Sequence, residues 1–83
     1  MDTEKRFEEA VAQSSSLPSQ PNDVLLKLYA LYKQATLGDA SGDGPGLFDP
    51  VGSAKFQAWK SNAGMSRDEA MSAYAELVKN LGA

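Results

Sequence analysis

The sequence predicts an all-α fold, a four-helix bundle. Three observations carry that reading. Four stretches repeat apolar residues at i, i+3 and i+4, none alternates with the two-residue period of a strand, and proline, glycine and serine gather between them.

The first helix is expected from about Thr3 to Ser14, where Phe7, Ala10, Val11 and the later Leu17 keep helical spacing. Its early acids suit the positive end of a helix dipole. SSSLPSQPND then breaks the chain with two prolines and a serine run. The second helix is expected to be capped by Asn22 or Asp23 and to run to about Leu37, with Gly38 as a left-handed terminator. The third is expected from near Val51 to Gly64, with Ala54, Ala58 and Trp59 on or near its buried side. Between them, GDASGDGPGLFDP cannot be helical throughout, because it holds Gly42, Gly44, Pro45 and Gly46. That loop is long enough to cross the bundle, so the second and third helices can run in the same direction. The fourth helix opens at Ser66, where SRDE supplies a capping box. Ala70, Met71, Tyr74, Leu77, Val78 and Leu81 form its apolar stripe.

A length of 83 residues argues for one domain, residues 1–83, with a modest core. Cysteine and histidine are both absent, which removes disulfides, thiolate zinc sites and the commonest general base. No apolar run approaches the roughly 18 residues of a membrane span. The opening MDTEKRFEEAV lacks the apolar region of a signal peptide, so a cytoplasmic location is expected. The net charge of −3 argues against nucleic-acid binding. The charge is nevertheless segregated. Val24 to Gly38 carries Lys27 and Lys33 with no acid, and Val51 to Gly64 carries Lys55 and Lys60 with no acid. An anion could therefore be held locally by a chain that is acidic overall.

The motifs for chemistry are weak. Asp39, Ser41, Asp43 and Gly44 match the opening of an EF-hand loop, but Pro50 stands where the bidentate glutamate belongs, so no metal is expected. GDGPG follows no strand and lacks the lysine of a P-loop. The serines have no histidine to activate them. Asp68 and Glu69 read as first-turn acids of the fourth helix. The chain reads as a non-enzyme.

One helix face stands out. On a wheel of about 100° per residue, with Leu25 at the origin, Tyr29 lies at about 40°, Lys33 at about 80° and Tyr32 at about 340°. Leu28, Leu31 and Ala35 form an adjoining aliphatic arc, and Lys27, Ala30 and Gln34 a third side expected to face water. Two readings stand for the tyrosines and lysine: half-buried packing with wet hydroxyls, or the wall of a ligand site.

LLKLYALYKQATLGD, then PGLFDPVGSAKFQAWK and GMSRDEAMSAYAELV, closely resembles the acyl-CoA-binding protein family. The similarity runs from Phe7 in FEEAV to Leu81, in order and at family spacing. The resemblance implies an up-down-down-up four-helix bundle and a non-catalytic carrier for medium- to long-chain acyl-CoA thioesters, with no cofactor. By position it implies that Tyr29, Lys33 and Lys55 hold the 3′-phosphate region, that Tyr32 flanks adenine, and that Tyr74 completes the site from the fourth helix. Ala10, Val11 and Leu26 are possible acyl-chain contacts. A monomer is expected, without stable membrane insertion, making transient contacts with acyl-CoA-using enzymes or membranes. Basic residues common in the family are replaced here by Ser15, Gln20, Gly44 and Val51, and one residue near Asp23 is missing. The competing expectation is a helical interaction module that kept the scaffold without the lipid.

Overall fold

The structure, a computed structural model, describes residues 2–46 and 48–82. Four helices follow one another: α1 (Asp2–Ser14), α2 (Asn22–Leu37), α3 (Pro50–Lys60) and α4 (Arg67–Asn80). Among the described residues there is no strand.

The helix starts have separate causes. At α4 the Ser66 hydroxyl accepts from the Glu69 amide and the Glu69 carboxylate accepts from the Ser66 amide, the reciprocal pair expected from SRDE. At α3 the Asp49 carboxylate caps the Gly52 amide, and Pro50 fills the first helical position, where its missing N–H costs nothing. This helix ends at Lys60, short of the Gly64 expected, because residues 61–64 tighten into turns. The cap of α2 also differs from expectation. Asn22 and Asp23 are already helical and Pro21, which has no side-chain acceptor, occupies the cap position; the Asp23 carboxylate accepts from the Val24 amide from within the first turn. Gly38 ends α2 at φ 82°, ψ −153°: a positive φ as expected, but not the left-handed helical terminator.

Side-chain pairings fix the directions. Leu25 and Leu26 share a cleft with Val51 and Ala54, while Trp59 near the end of α3 bonds the Gly38 carbonyl at the end of α2. The two helices therefore run parallel. Leu26 near the start of α2 faces Leu77 late in α4, and Gln34 near its end bonds the Met65 carbonyl just before α4, so α2 and α4 are antiparallel. The short connection 15–21 returns the chain from α1, which packs along α4. The order is up-down-down-up.

The core lies between α1, α2 and α4, where Phe7, Ala10, Leu28, Leu31, Ala35, Ala70, Tyr74, Ala75 and Val78 are buried. Leu17, Met71, Leu77 and Leu81 pack against it, half-buried. Helix α3 buries no residue completely: Ala58 and Trp59 are half-buried and Ala54 is exposed, contrary to the expected inner face. The supposed wet side of α2 is corrected as well. Ala30 is 3% and Gln34 0% exposed, because α2 is the central helix, flanked by both α3 and α4. The molecule is flat, measuring 37 × 28 × 15 Å along its principal axes.

Candidate functional site

Two helical repeats meet where α2 and α3 run side by side. Tyr29 and Lys33 are one turn apart on α2, and Lys55 and Trp59 are one turn apart on α3, so each pair shares a face. The parallel arrangement brings the faces together. The Lys33 Nζ stands 5.6 Å from the centre of the Tyr29 ring and 5.8 Å from that of Trp59, and the Lys55 Nζ stands 5.3 Å from the Tyr29 ring. Two ammonium groups thus share one phenol ring, an attraction worth about 0.5–1 kcal/mol apiece at exposed positions. Neither lysine has a carboxylate partner; among the described residues the one ion pair is Arg6 with Glu76 at 3.7 Å. Adjacent unpaired cations present a local positive field to an anion.

An apolar cleft of about 430 Å³ starts at this cluster and follows the α2–α3 seam toward the helix N-termini. Tyr29 and Lys55 line one end, and Leu25, Leu26, Val51 and Ala54 supply its apolar walls. An apolar trough with charge confined to one end suits an amphiphile whose polar head is anionic. A larger hollow of about 640 Å³ opens on the other flank of α2, against Ala58 and Leu77. Its charged residues, Asp23, Lys27 and Glu76, are of mixed sign, so it offers no comparable concentration of cations.

The remaining tyrosines belong to a second aromatic group. Tyr32 lies 6.0 Å from Phe7 and 6.3 Å from Tyr74 between ring centres, and Phe7 meets Tyr74 edge-on at 5.3 Å. Tyr74 is buried within the core while Tyr32, 39% exposed, offers part of its ring to solvent one turn from Tyr29. Ala10 is buried in the α1–α4 core and Val11 packs half-buried against it. Neither lines the cleft, whereas Leu26 does. The structure therefore gathers Tyr29, Lys33, Lys55 and Leu26, sets Tyr32 and Tyr74 in the adjoining aromatic group, and keeps Ala10 and Val11 apart.

Sequence reasoning assigned no role here to the group that holds α3 in place. The Trp59 indole donates to the Gly38 carbonyl at 2.8 Å. The buried Gln34 Nε2 donates to Asp39 Oδ1 at 2.7 Å and to the Met65 carbonyl at 2.8 Å, and the Gly64 amide donates to the same Asp39 oxygen at 3.0 Å. The end of α2 is thereby clasped to the turn between α3 and α4. Gln34 Oε1 has no partner among the described residues. The bonds from Gln34 and then Gly64 hold the Asp39 carboxyl below its ordinary pKa. Spacing alone could have drawn Trp59 to the cluster, since it sits four residues after Lys55. Nothing in the sequence paired Gln34 with Met65, 31 positions away.

Gly44 explains one of the missing cations. It sits at φ 75°, and a Cβ there would come within 2.5 Å of the Phe56 ring. A basic side chain at this position would need both a rare backbone conformation and a displaced ring.

Comparison with known proteins fits this architecture. The family model described as "Acyl CoA binding protein" matches residues 4–78. Acyl-CoA-binding protein homolog 1 of Caenorhabditis elegans is 49% identical over 76 residues, covering 90% of this chain and 88% of its own. The Manduca sexta acyl-CoA-binding protein homolog is 45% identical over 83 residues, covering 98% of this chain and 92% of its own. The crystal structure of Oryza sativa acyl-CoA-binding protein 2 superposes with a TM-score of 0.93 at 40% identity, covering 98% of this chain and 89% of that one. With its motifs, its helix order and its relatives in agreement, the chain belongs to the acyl-CoA-binding protein family.

Proposed function

We propose that this protein is a non-catalytic carrier that binds medium- to long-chain fatty acyl-CoA, with the nucleotide phosphates at Tyr29, Lys33 and Lys55 and the acyl chain in the α2–α3 cleft. The observation that carries the reading is the convergence of two unpaired ammonium groups on the Tyr29 ring at the end of an apolar trough. Lysine suits a phosphate that approaches from varied directions, having a compact charge and three rotatable donors. A phenol adds a hydrogen bond that strengthens when its acceptor is ionised. Tyr32 is the ring available to adenine, where stacking contributes about 1–3 kcal/mol. Tyr74 supports it from beneath. Burial of the tail contributes up to roughly 0.8 kcal/mol per methylene, so acyl-CoA should bind far more tightly than free coenzyme A.

The site contains no histidine or cysteine, and the carrier holds its thioester intact. Val51, Gly44, Gln20 and Ser15 replace cations usual in the family, so binding should be weaker and less salt-sensitive than in lysine-rich relatives. No described helix is long and apolar enough to cross a membrane. Titration calorimetry with palmitoyl-CoA tests the reading. Heat saturating at one ligand per chain supports the carrier, and a flat trace would leave an interaction module built on the same scaffold.

A further inference from the structure

Leu26 belongs to two hollows at once. It walls the α2–α3 cleft beside Leu25 and Ala54, and it also edges the larger hollow of about 640 Å³ between α2, the end of α3 and α4. Half-buried at that junction, its side chain is the ridge between them. The larger hollow has an apolar lining of Ala30, Leu31, Ala58, Ala73 and Leu77. Three of these are alanines, too short to fill the space where three helices meet. Asp23, Lys27 and Glu76, exposed around the lining, are of mixed sign, which suits an uncharged occupant rather than an anion.

We propose that the larger hollow receives the far end of a long acyl chain, which crosses Leu26 after filling the α2–α3 cleft. The inference rests on the carrier reading. Length is the first argument. The cleft follows α2 from Asn22 to Tyr29, about 10 Å at roughly 1.5 Å per residue. An extended hydrocarbon advances about 1.25 Å per carbon, given C–C bonds of about 1.52 Å at tetrahedral angles, so a palmitoyl tail reaches about 19 Å. A tail that starts at the cationic end therefore outruns the cleft about half-way along. The remainder has two routes. Straight on lies the cleft mouth, where Val51 is 65% and Leu25 49% exposed, so methylenes continuing there meet water. Across Leu26 lies an apolar wall that reaches the buried Ala30 and Leu31. The second route removes more hydrocarbon from water and is the one favoured. Charge agrees with that direction. The cations collect at the Tyr29 and Lys55 end of the cleft, and the hollow beyond Leu26 has no such concentration to hold a second head group. Leu26 is thereby a specificity-determining residue: short tails stop on its near side, and long ones gain contact on its far side.

Titration calorimetry with octanoyl-CoA and palmitoyl-CoA tests the proposal. An octanoyl tail, about 10 Å long, ends within the cleft, so only the palmitoyl tail senses the hollow. Palmitoyl-CoA should bind the parent at least about 100-fold more tightly, because each methylene removed from water is worth up to roughly fourfold. Ala73→Leu fills the hollow from α4 without lining the cleft, and should lower that ratio roughly tenfold by excluding the last few methylenes. An unchanged ratio would overturn the extension. A second measurement needs no variant: stearoyl-CoA carrying a nitroxide near its terminal carbon is bound to the parent chain and read by NMR. The amides of Asn62, Ala73 and Leu77 should broaden most. Broadening centred instead on Asn22 and Val51 would put the tail end at the cleft mouth, overturning the extension and leaving the carrier. A flat calorimetric trace with both esters would remove the carrier reading and the extension with it.

Discussion

Lys33 and Lys55 stand close to one aromatic ring with no carboxylate among the described residues to balance them. Replacing either by alanine should remove one charge-assisted contact to phosphate, worth about 1.5–3 kcal/mol, and weaken palmitoyl-CoA binding roughly 10- to 100-fold. Far-ultraviolet circular dichroism should stay unchanged, because both side chains lie outside the core. Calorimetry on the two variants would show this, and parent-like affinity in both would remove the phosphate assignment. Val51→Lys tests the converse. It places a third cation beside Lys55, and should tighten binding and steepen its dependence on salt. Gly44→Arg restores another family cation but should cost about 1–3 kcal/mol of stability in urea denaturation, because of its positive φ and the Phe56 ring. Asp39 gives a pH signature. Its carboxyl is held below the ordinary value by Gln34 and then Gly64, so its contribution is complete above the unfolded carboxylate range and fades as pH falls through that range to the lowered folded value. Thermal melts from neutral to acid pH should fall less steeply for Asp39→Asn than for the parent, because the amide keeps an acceptor oxygen at every pH. The Tyr29–Lys33 adjacency was legible from helical period alone. Lys55 joined it only through the family resemblance, since its approach depends on a second helix. Gln34 was placed wrongly, because one polar residue on a wheel says nothing about which neighbour will bury it.

Helices α3 and α4 start with different kinds of cap, and the difference shows at the level of whole elements. Ser66→Ala removes one half of a reciprocal pair and should cost about 1 kcal/mol, read as a lowered denaturation midpoint with unchanged slope. The Glu69 carboxyl, held below its ordinary pKa by the Ser66 amide and hydroxyl, makes that cost greatest at neutral pH, where Glu69 is ionised. Helix α3 is the weak element. It packs along α2 alone, buries no residue fully, and is held at its far end by Trp59 and the Gln34–Asp39 clasp. Hydrogen exchange should therefore show α3 amides opening before those of α2 and α4. Gln34→Met should widen the difference, because it leaves the Met65 carbonyl without its side-chain donor and Asp39 with the Gly64 amide alone. The SRDE box was fully readable because its chemistry is local. The lean inner face of α3 was not, since Ala54, Ala58 and Trp59 show helical spacing whether or not a partner lies opposite.

At the scale of the molecule, the long central loop allowed α2 and α3 to run in the same direction, and the family resemblance implied that they do. The clefts on either flank of α2 were not predictable, because they are spaces left where small residues such as Ala30 and Ala58 face one another. The flatness of the molecule bears on how a ligand is loaded. The molecule extends only 15 Å along its shortest axis, which leaves little depth for enclosing a passenger, so in the carrier reading the acyl-CoA occupies an open surface cleft. Loading then waits on no lid. Stopped-flow traces should show one phase whose rate rises linearly with ligand, with an association constant of at least the 10⁵–10⁷ M⁻¹s⁻¹ usual for orientation-limited encounters. Unloading would be timed by the peeling of the tail, slower with each added carbon, and a recipient able to grip the projecting end could hasten it.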